Sequence, residues 1–193
     1  MPHSGTYIPT AIRKQFILPT PVLANNDWYL SRLYDFLYKS RITCLVAHHS
    51  RYTVDLNRNA ARTKLFGKYR QHIVYSHTTF GEKLYDHDLS IREIQNRIDL
   101  YYIPYHAELK GLLEEKIKHF GRAVLLDLHS GCTATGDKDI CLANAKGKTC
   151  PPALMENLKA AFETQGFSVN INTPVTGGHI IRQHYGDNVD AIM

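Results

Sequence analysis

A long helical pattern that leads directly into a buried strand pattern is the feature that most constrains how this chain folds. The segment from Ser90 to His119 carries apolar residues at helical spacing and opens with a capping box, because Glu93 follows Ser90 by three residues. Pro104 is expected to interrupt this helix. The run from Ala123 to Leu128 then gives the strongest strand pattern in the sequence. A helix and a strand in this order are typical of α/β proteins.

Shorter segments repeat this alternation of helices and strands. Asp27 stands at an N-cap or first-turn position before a helical run, and Pro151 to Gln165 forms a further helical segment. Strands are predicted at residues 42–47, 52–56 and 167–172, from His179 after a Gly-Gly turn, and from Asp190. The alternation predicts an α/β fold with a mixed, mostly parallel sheet flanked by helices, in a single domain over residues 1–193. Ligands of such sheets bind at the carboxyl ends of the strands.

The composition of the chain excludes several classes of protein. Of its 193 residues, 44% are hydrophobic, which suits a globular domain, and no apolar run approaches the ~20 residues of a membrane helix. The net charge is +5, but no run of five basic residues exists, so the charge does not indicate nucleic-acid binding. The four cysteines form no C-x-x-C pair, which favours a reducing cytoplasm. The 11 histidines point to a metal or acid–base site.

Polar residues stand just past the strongest strand pattern, at Asp127 and His129. As a zinc ligand, His129 would offer a neutral imidazole nitrogen, and Asp127 could orient that ring from the same face of the strand. The alternative is a strand-end histidine that bonds to a loop carbonyl. Similar polar clusters occupy residues 2–5 and 48–59, and strand ends in this fold class would bring the clusters to one cleft.

Three arginines are candidates for binding a small anion. Arg58 could grip a carboxylate in a bidentate fashion with help from the Asn57 amide, and Arg51 could polarise a carbonyl. Arg182 follows the Gly-Gly turn and could act as a further anion clamp. The alternatives are exposed arginines in a polar loop and, for Arg182, the ordinary polar face of a β-hairpin.

Several strings of residues, taken together, resemble the N-formylglutamate amidohydrolase (N-formylglutamate deformylase) family. They occur in order over nearly the whole chain, and H-S-R-Y-x-V-D-L-N-R is the most specific of them. The strings are P-H-S-G-T-Y-I-P, N-D-W-Y-L-S-R-L-Y-D-F, H-S-R-Y-T-V-D-L-N-R, T-T-F-G-E-K-L-Y, Y-Y-I-P-Y-H, L-D-L-H-S and G-G-H-I-I-R-Q-H-Y-G.

This resemblance implies a metal site. The family is similar to the zinc carboxypeptidases and aspartoacylase-type deacylases, whose zinc is held by two histidines and an acid in a three-layer α/β sandwich. Carried over by position, His3 and His129 would be the histidine ligands. Thr6 stands where the acid of those relatives would follow His3, so Asp27 is expected to supply it, with His49 as the rival ligand.

The resemblance also implies roles for the candidate substrate-binding residues. Asn57 and Arg58 match a pair that grips the substrate carboxylate, and Arg51 matches the arginine that polarises the scissile carbonyl. Arg182 is expected to hold the second carboxylate of a glutamyl group, with His184 as a further substrate-binding residue.

The implied activity is zinc-dependent hydrolysis of N-formyl-L-glutamate to formate and L-glutamate, in the cytoplasm, as a step of histidine catabolism. The implied partner is a small N-acyl dicarboxylate, without nucleic acid or membrane. The alternatives are a hydrolase of another N-acyl amino acid, or a truncated and inactive family member. The second alternative rests on the general base, which is a Glu on a strand in the similar enzymes. No Glu of this chain matches it, because Glu163 falls in a predicted helix. It also rests on the ends of the chain, which are expected to leave the domain incomplete.

Overall fold

The fold is of the mixed α/β class that the sequence predicts. The computed structural model describes residues 1–18, 25–61, 66–68, 72–131 and 137–193. Helices and short strands are both present there, and each of the three strand pairs runs parallel. The described residues form two compact units, 1–109 and 110–193. Over the same residues, no helix is both long and apolar enough to cross a membrane.

The first unit contains short helices and one pair of very short strands. Their bounds are α1 at Thr10–Arg13, α2 at Leu30–Leu33, α3 at Phe36–Lys39, β1 at Phe66–Gly67, β2 at Val74–Tyr75 and α4 at Ile91–Arg97. A π-helical turn at Ile98–Tyr102 follows α4 and leads into α5 at Ile103–Phe120. Most of this unit is therefore held by turns and side-chain contacts, since its strands are two residues long.

The long predicted helix is present, with its capping box and without a break. Ser90 accepts from the Glu93 N–H, and the Glu93 carboxylate accepts from the Ser90 N–H, as the sequence predicts. The expected interruption at Pro104 is wrong, because α4, the π-helical turn and α5 follow one another directly. Pro104 is the second residue of α5, and the Ile103 N–H donates to Ile98 O in the wider turn that precedes it.

The core of the first unit includes a segment without regular structure. The strand predicted at residues 52–56 is wrong, since the structure assigns only turns or no regular structure there, although Tyr52, Val54 and Leu56 are buried. Polar side chains accept some of the backbone N–H groups in and just after this segment, because the N–H of Tyr52 donates to Ser50 Oγ and that of Asn57 donates to Asp55 Oδ1.

The strand expected at residues 42–47 is also wrong, because the structure assigns no strand there. This segment instead lies beside the first residues of the chain. The Met1 amino group donates to Leu45 O at 3.0 Å, and the Ala47 N–H donates to Met1 O at 3.1 Å. An isolated parallel bridge joins Tyr7 to His49. These bonds hold the N-terminal residues, including His3, against a buried part of the unit.

Among its described residues, the second unit contains two parallel strand pairs, two helices and the part of α5 that follows residue 109. Its elements are β3 at Ala123–Leu126, β4 at Ile140–Leu142, α6 at Pro152–Thr164, β5 at Val169–Ile171, α7 at His179–His184 and β6 at Val189–Ile192. Strand β3 pairs with β6, and β4 pairs with β5. Ala143 and Met193 exchange backbone hydrogen bonds of 2.8 and 2.9 Å at the ends of β4 and β6. The core beside this join comprises Leu142, Cys150, Met155, Val169 and Ile192.

Most sequence predictions for this unit are confirmed. Strands form within Ala123–Leu128 and 167–172, and a helix forms within Pro151–Gln165. The strand predicted from Asp190 is β6, which begins one residue earlier at Val189. The strand expected from His179 is wrong, because α7 starts there. Ile180 and Ile181 are both buried, at 1% and 0% exposure, whereas neighbouring residues of a strand point to opposite faces.

Candidate functional site

A fully buried carboxylate, Asp55, lies at the centre of the candidate residues of the first unit. Its Oδ1 accepts from the Asn57 N–H at 2.8 Å and lies 2.8 Å from Nε2 of His3. Its Oδ2 accepts from Nη2 of Arg51 at 2.7 Å and from the Tyr75 hydroxyl. Four donors use the acceptor capacity of a carboxylate, so Asp55 is satisfied although it is 0% exposed.

The charges around Asp55 keep it ionised. Burial alone would raise its pKa, but His3 and Arg51 outweigh burial, so the pKa lies well below its ordinary value. The pKa of the Tyr75 hydroxyl is shifted in the other direction, because burial and the neighbouring Asp55 charge raise it well above its ordinary value. Tyr75 therefore keeps its proton and donates to Asp55.

His3 and Asp27 are adjacent buried residues with metal-ligating side chains. They are 4% and 3% exposed, and their ligand atoms lie within 4.8 Å of each other. The Asp27 N–H also donates to His3 O at 2.9 Å. The N-cap position predicted for Asp27 is wrong, since α2 begins at Leu30 and Tyr29 precedes it.

His129 follows β3 in the second unit, as the sequence predicts. Its Nε2 lies 3.2 Å from Oδ2 of Asp127, which is 3% exposed. The Asp127 N–H donates to Ile192 O at 2.8 Å and so continues the pairing of β3 with β6 beyond the last strand residue. The expected pairing of these two side chains is therefore present.

Among the residues that the structure describes, His3 and Asp27 in the first unit and His129 in the second unit are the candidate metal ligands, each with one ligand atom. The rival ligand His49 is outside this set. Its ring packs against Tyr101 at a centroid distance of 4.5 Å and against Tyr7 at 5.5 Å. Burial and the neighbouring His48 lower the pKa of His49.

Arg51 and Arg58 occupy different environments in the first unit. Arg51 is 6% exposed and donates from Nη1 to Asn25 O at 2.9 Å, in addition to its bond with Asp55. The alternative of an exposed loop arginine is therefore wrong for Arg51. The Arg58 side chain is 27% exposed, with Nε 4.0 Å from Asp55 Oδ2, and it follows the buried Asn57.

Arg182 and His184 lie on α7, so the hairpin alternative for this segment is wrong. Arg182 is exposed, and its guanidinium donates to the Gly177 and Gly178 carbonyls and to Thr176 Oγ1 at 3.0 Å. These bonds fix the loop before α7. Burial lowers the pKa of His184, and neighbouring His179 lowers it further.

Glu163 lies in α6, as expected, and its carboxylate is 3.2 Å from the Lys159 ammonium. The helical position agrees with the inference that Glu163 does not match the general base of the family.

Sequence reasoning missed Asp55 and Tyr75. The available signal was the position of Asp55 four residues after Arg51, inside the most specific string of the chain. Tyr75 gave no signal, because it lies 20 positions after Asp55 and only tertiary packing brings the two side chains together.

The buried charge of Asp55 predicts a loss of stability in acid. Folding lowers the pKa of this carboxyl, so the unfolded state binds more protons as the pH falls. The stabilisation is complete above the unfolded carboxyl pKa of about 4 and is lost as the pH falls through that value towards the folded pKa. We expect the free energy of unfolding of metal-free protein to fall steeply below about pH 5 in urea titrations.

Asp55→Asn should lower that free energy at pH 7 by roughly 3 kcal/mol, because it leaves buried positive charge uncompensated. The same substitution should also make the free energy of unfolding depend less steeply on pH below about pH 5. Asp88→Asn removes an exposed carboxylate of the same unit and should leave the wild-type slope. If the free energy of unfolding of Asp55→Asn changed with pH as steeply as that of the wild type, the loss of stability in acid could not be assigned to Asp55.

Comparison with known proteins agrees with the resemblance seen in the sequence. A family model for N-formylglutamate amidohydrolase matches residues 1–193. Two relatives named N-formylglutamate deformylase, from Pseudomonas aeruginosa and Pseudomonas putida, are 33% and 32% identical to this chain. The alignments cover 96% and 97% of this chain and 73% of each relative.

A solved structure is similar as well. The crystal structure of N-formylglutamate amidohydrolase from Ralstonia eutropha JMP134 matches with a TM-score of 0.84 at 25% identity. The match covers 99% of this chain and 77% of that chain. The chain therefore belongs to the N-formylglutamate amidohydrolase family.

Proposed function

We propose that this chain is a metal-dependent hydrolase that cleaves the amide bond of N-formyl-L-glutamate, giving formate and L-glutamate. The observation that carries the proposal is the match of the family model to residues 1–193, and His3, Asp27 and His129 are the residues that we assign to a metal ion. The relatives from both Pseudomonas species are named for the same deformylation.

The chemistry of these donors suits zinc. Two imidazoles and one carboxylate form a ligand set of the kind that catalytic zinc sites use. Asp55 lies 2.8 Å from Nε2 of His3 and Asp127 lies 3.2 Å from Nε2 of His129, and carboxylates in such positions orient metal-binding imidazole rings. We assign zinc to His3, Asp27 and His129, and the exclusion of His49 from this set favours Asp27 as the acid. A zinc ion in such a site supplies Lewis acidity and lowers the pKa of water.

Arg51 is assigned to the scissile carbonyl. Its guanidinium is buried, and Asp55 and the Asn25 carbonyl fix its position before any substrate arrives. A donor fixed in this way stabilises developing negative charge without reorganising. The buried position therefore supports the role that the family resemblance implies for Arg51.

Asn57 and Arg58 are assigned to one carboxylate of the substrate, and Arg182 and His184 to the other. Arg58 suits its role because its side chain is partly exposed and its Nε is 4.0 Å from Asp55, beyond hydrogen-bonding distance. Asn57 is fixed by the bond from its N–H to Asp55. Arg182 would exchange bonds to loop oxygens for bonds to the substrate.

The cellular setting is part of the proposal. We assign the chain to the cytoplasm and its reaction to histidine catabolism, with a small N-acyl dicarboxylate as its partner. The thiols of Cys44, Cys141 and Cys150 are free, which suits a reducing compartment.

Formate release tests the proposed function directly. Zinc-loaded protein should release formate from N-formyl-L-glutamate, and removal of zinc with a chelator should abolish this release until zinc is restored. N-formyl-L-alanine, which lacks the side-chain carboxylate, should be a much poorer substrate. Release of acetate from N-acetyl-L-glutamate at a higher rate than formate would instead support a hydrolase of another N-acyl amino acid. Zinc-loaded protein inactive on all three would contradict the proposal.

Replacement of Arg51 should slow the chemical step. Arg51→Lys keeps the positive charge beside Asp55 but loses the fork of donors, and kcat should fall about a hundredfold or more. Arg92→Lys, at an exposed position in α4, is the matched control and should keep the wild-type kcat. If Arg51→Lys kept near-normal kcat, folded Arg51→Met would be measured next. Near-normal kcat in both variants would show that Arg51 does not polarise the scissile carbonyl.

Replacement of Arg58 should weaken substrate binding. Arg58→Ala loses the charge-assisted bonds to a carboxylate, so KM should rise about tenfold or more while kcat changes less. Steady-state kinetics over a range of N-formyl-L-glutamate concentrations measure this split. An unchanged KM would contradict the clamp assignment, and Arg92→Ala controls for loss of a surface charge.

A further inference from the structure

We propose that Tyr102 and His106 are positioning residues that hold the turn of residues 55–58, the clamp turn, in the shape in which Asn57 and Arg58 grip a substrate carboxylate. The inference rests on the proposed function, because it concerns the role given there to Asn57 and Arg58. Tyr102 and His106 come from the string Y-Y-I-P-Y-H, which the proposed function leaves without a role. Neither residue is assigned a contact with the substrate.

Side chains hold three successive main-chain carbonyls of the clamp turn. Nε2 of His106 lies 2.9 Å from Leu56 O, and the Tyr102 hydroxyl donates to Arg58 O at 2.9 Å. Between these two carbonyls, Nη1 of Arg58 donates to Asn57 O at 3.1 Å. A carbonyl oxygen only accepts, so Nε2 of His106 carries the ring proton. The peptide groups before Asn57 and after Arg58 therefore cannot rotate without breaking a hydrogen bond.

The two donors are themselves held in place. Their rings pack against each other at a centroid distance of 4.2 Å, and both residues are buried. Burial raises the pKa of Tyr102 to about 12, so its hydroxyl keeps its proton and remains a donor near neutral pH. A buried carbonyl that loses such a donor is left unsatisfied, which makes each bond costly to break.

The π-helical turn keeps these side chains on the buried side of the helix. Ile94, Ile98, Tyr102 and His106 are spaced by four residues, and all four are buried. In a regular α-helix, each step of four residues turns a side chain about 40° further round the axis. A π-helical turn has more residues per turn and removes part of this drift. The wider turn therefore lets one face of the helix pack on the core at its start and on the clamp turn further along.

The clamp turn holds a donor that suits an anionic ligand. Among the residues that the structure describes, Nε of Arg58 is buried without a hydrogen-bond partner and lies 4.0 Å from Asp55 Oδ2. A buried donor without an acceptor costs free energy, and a carboxylate bound at the clamp would supply the acceptor. A rigid clamp turn favours binding, since it fixes this donor before the ligand arrives.

The first test removes one donor at a time. Tyr102→Phe keeps the ring but loses the bond to Arg58 O, and His106→Met loses the bond to Leu56 O. Each variant should raise KM for N-formyl-L-glutamate about three- to tenfold and keep kcat within about twofold, because the clamp binds the substrate and the transition state alike. His106→Gln keeps an N–H donor near the position of Nε2 and should restore most of the wild-type KM. Tyr101→Phe, in the same π-helical turn, is the matched control and should keep the wild-type KM.

Two outcomes of these kinetics would overturn the inference. One is an unchanged KM in folded Tyr102→Phe and folded His106→Met. The other is a fall in kcat as large as the rise in KM, which would show that the substitutions loosen the core in general. If His106→Met does not fold, Tyr102→Phe decides, since it removes only one hydroxyl group.

A double-mutant cycle separates positioning of Arg58 from ordinary packing of an aromatic pair. If Tyr102 acts through the clamp, adding Tyr102→Phe to Arg58→Ala should raise KM by much less than Tyr102→Phe does in the wild type. Independent effects would multiply instead. A double variant whose KM rises by the product of the two single effects would overturn the inference.

Failure of the proposed function is distinguishable from failure of this inference. Zinc-loaded wild-type protein that releases no formate counts against the proposed function. Hydrogen exchange of the Arg58 N–H, which donates to Asp55 O at 3.3 Å, then still tests the hold on the clamp turn. NMR of the full chain should show this exchange to be about threefold or more faster in Tyr102→Phe and unchanged in Tyr101→Phe. Equal exchange in the wild type and Tyr102→Phe would overturn the inference whether or not the protein releases formate.

Discussion

A carboxylate without access to solvent must form its hydrogen bonds inside the protein. The first unit is organised around such a carboxylate, that of Asp55. An ionised Asp55 without partners would be very costly to bury, so His3, Arg51, Tyr75 and the Asn57 N–H must all be in place when the unit folds. These partners come from the N-terminal segment, from the turns after residue 50 and from β2. The same contact that satisfies Asp55 therefore gathers the residues with proposed roles.

The second unit positions its candidate residues by ordinary sheet geometry. Strand β3 pairs in parallel with β6, and the Asp127 N–H extends that pairing by one bond. His129 therefore follows a stretch of backbone that the pairing with β6 holds in place, and Asp127 lies beside its ring. In this unit the sheet fixes the position of His129, whereas in the first unit a buried ion-pair network fixes the position of His3.

The elements that the sequence predicted well are those with strong local signals. The capping box at Ser90 and helix α6 depend on contacts three or four residues apart, and these can be read directly from the sequence. The predictions failed at residues 42–47 and 52–56, which have apolar patterns that suit strands. In the second of these segments, Ser50 and Asp55 take backbone hydrogen bonds that a strand would give to its neighbour.

The family, the α/β class and the types of residue available for metal and carboxylate binding can be inferred from the sequence, because they depend on strings and periodicities along the chain. Which of these residues are buried together depends on how the chain packs in three dimensions. His3 and Asp55 are 52 positions apart, and Asp55 and Tyr75 are 20 positions apart. No local pattern encodes such pairs, since they form when distant segments pack and a buried charge has to be matched by the donors that packing brings to it.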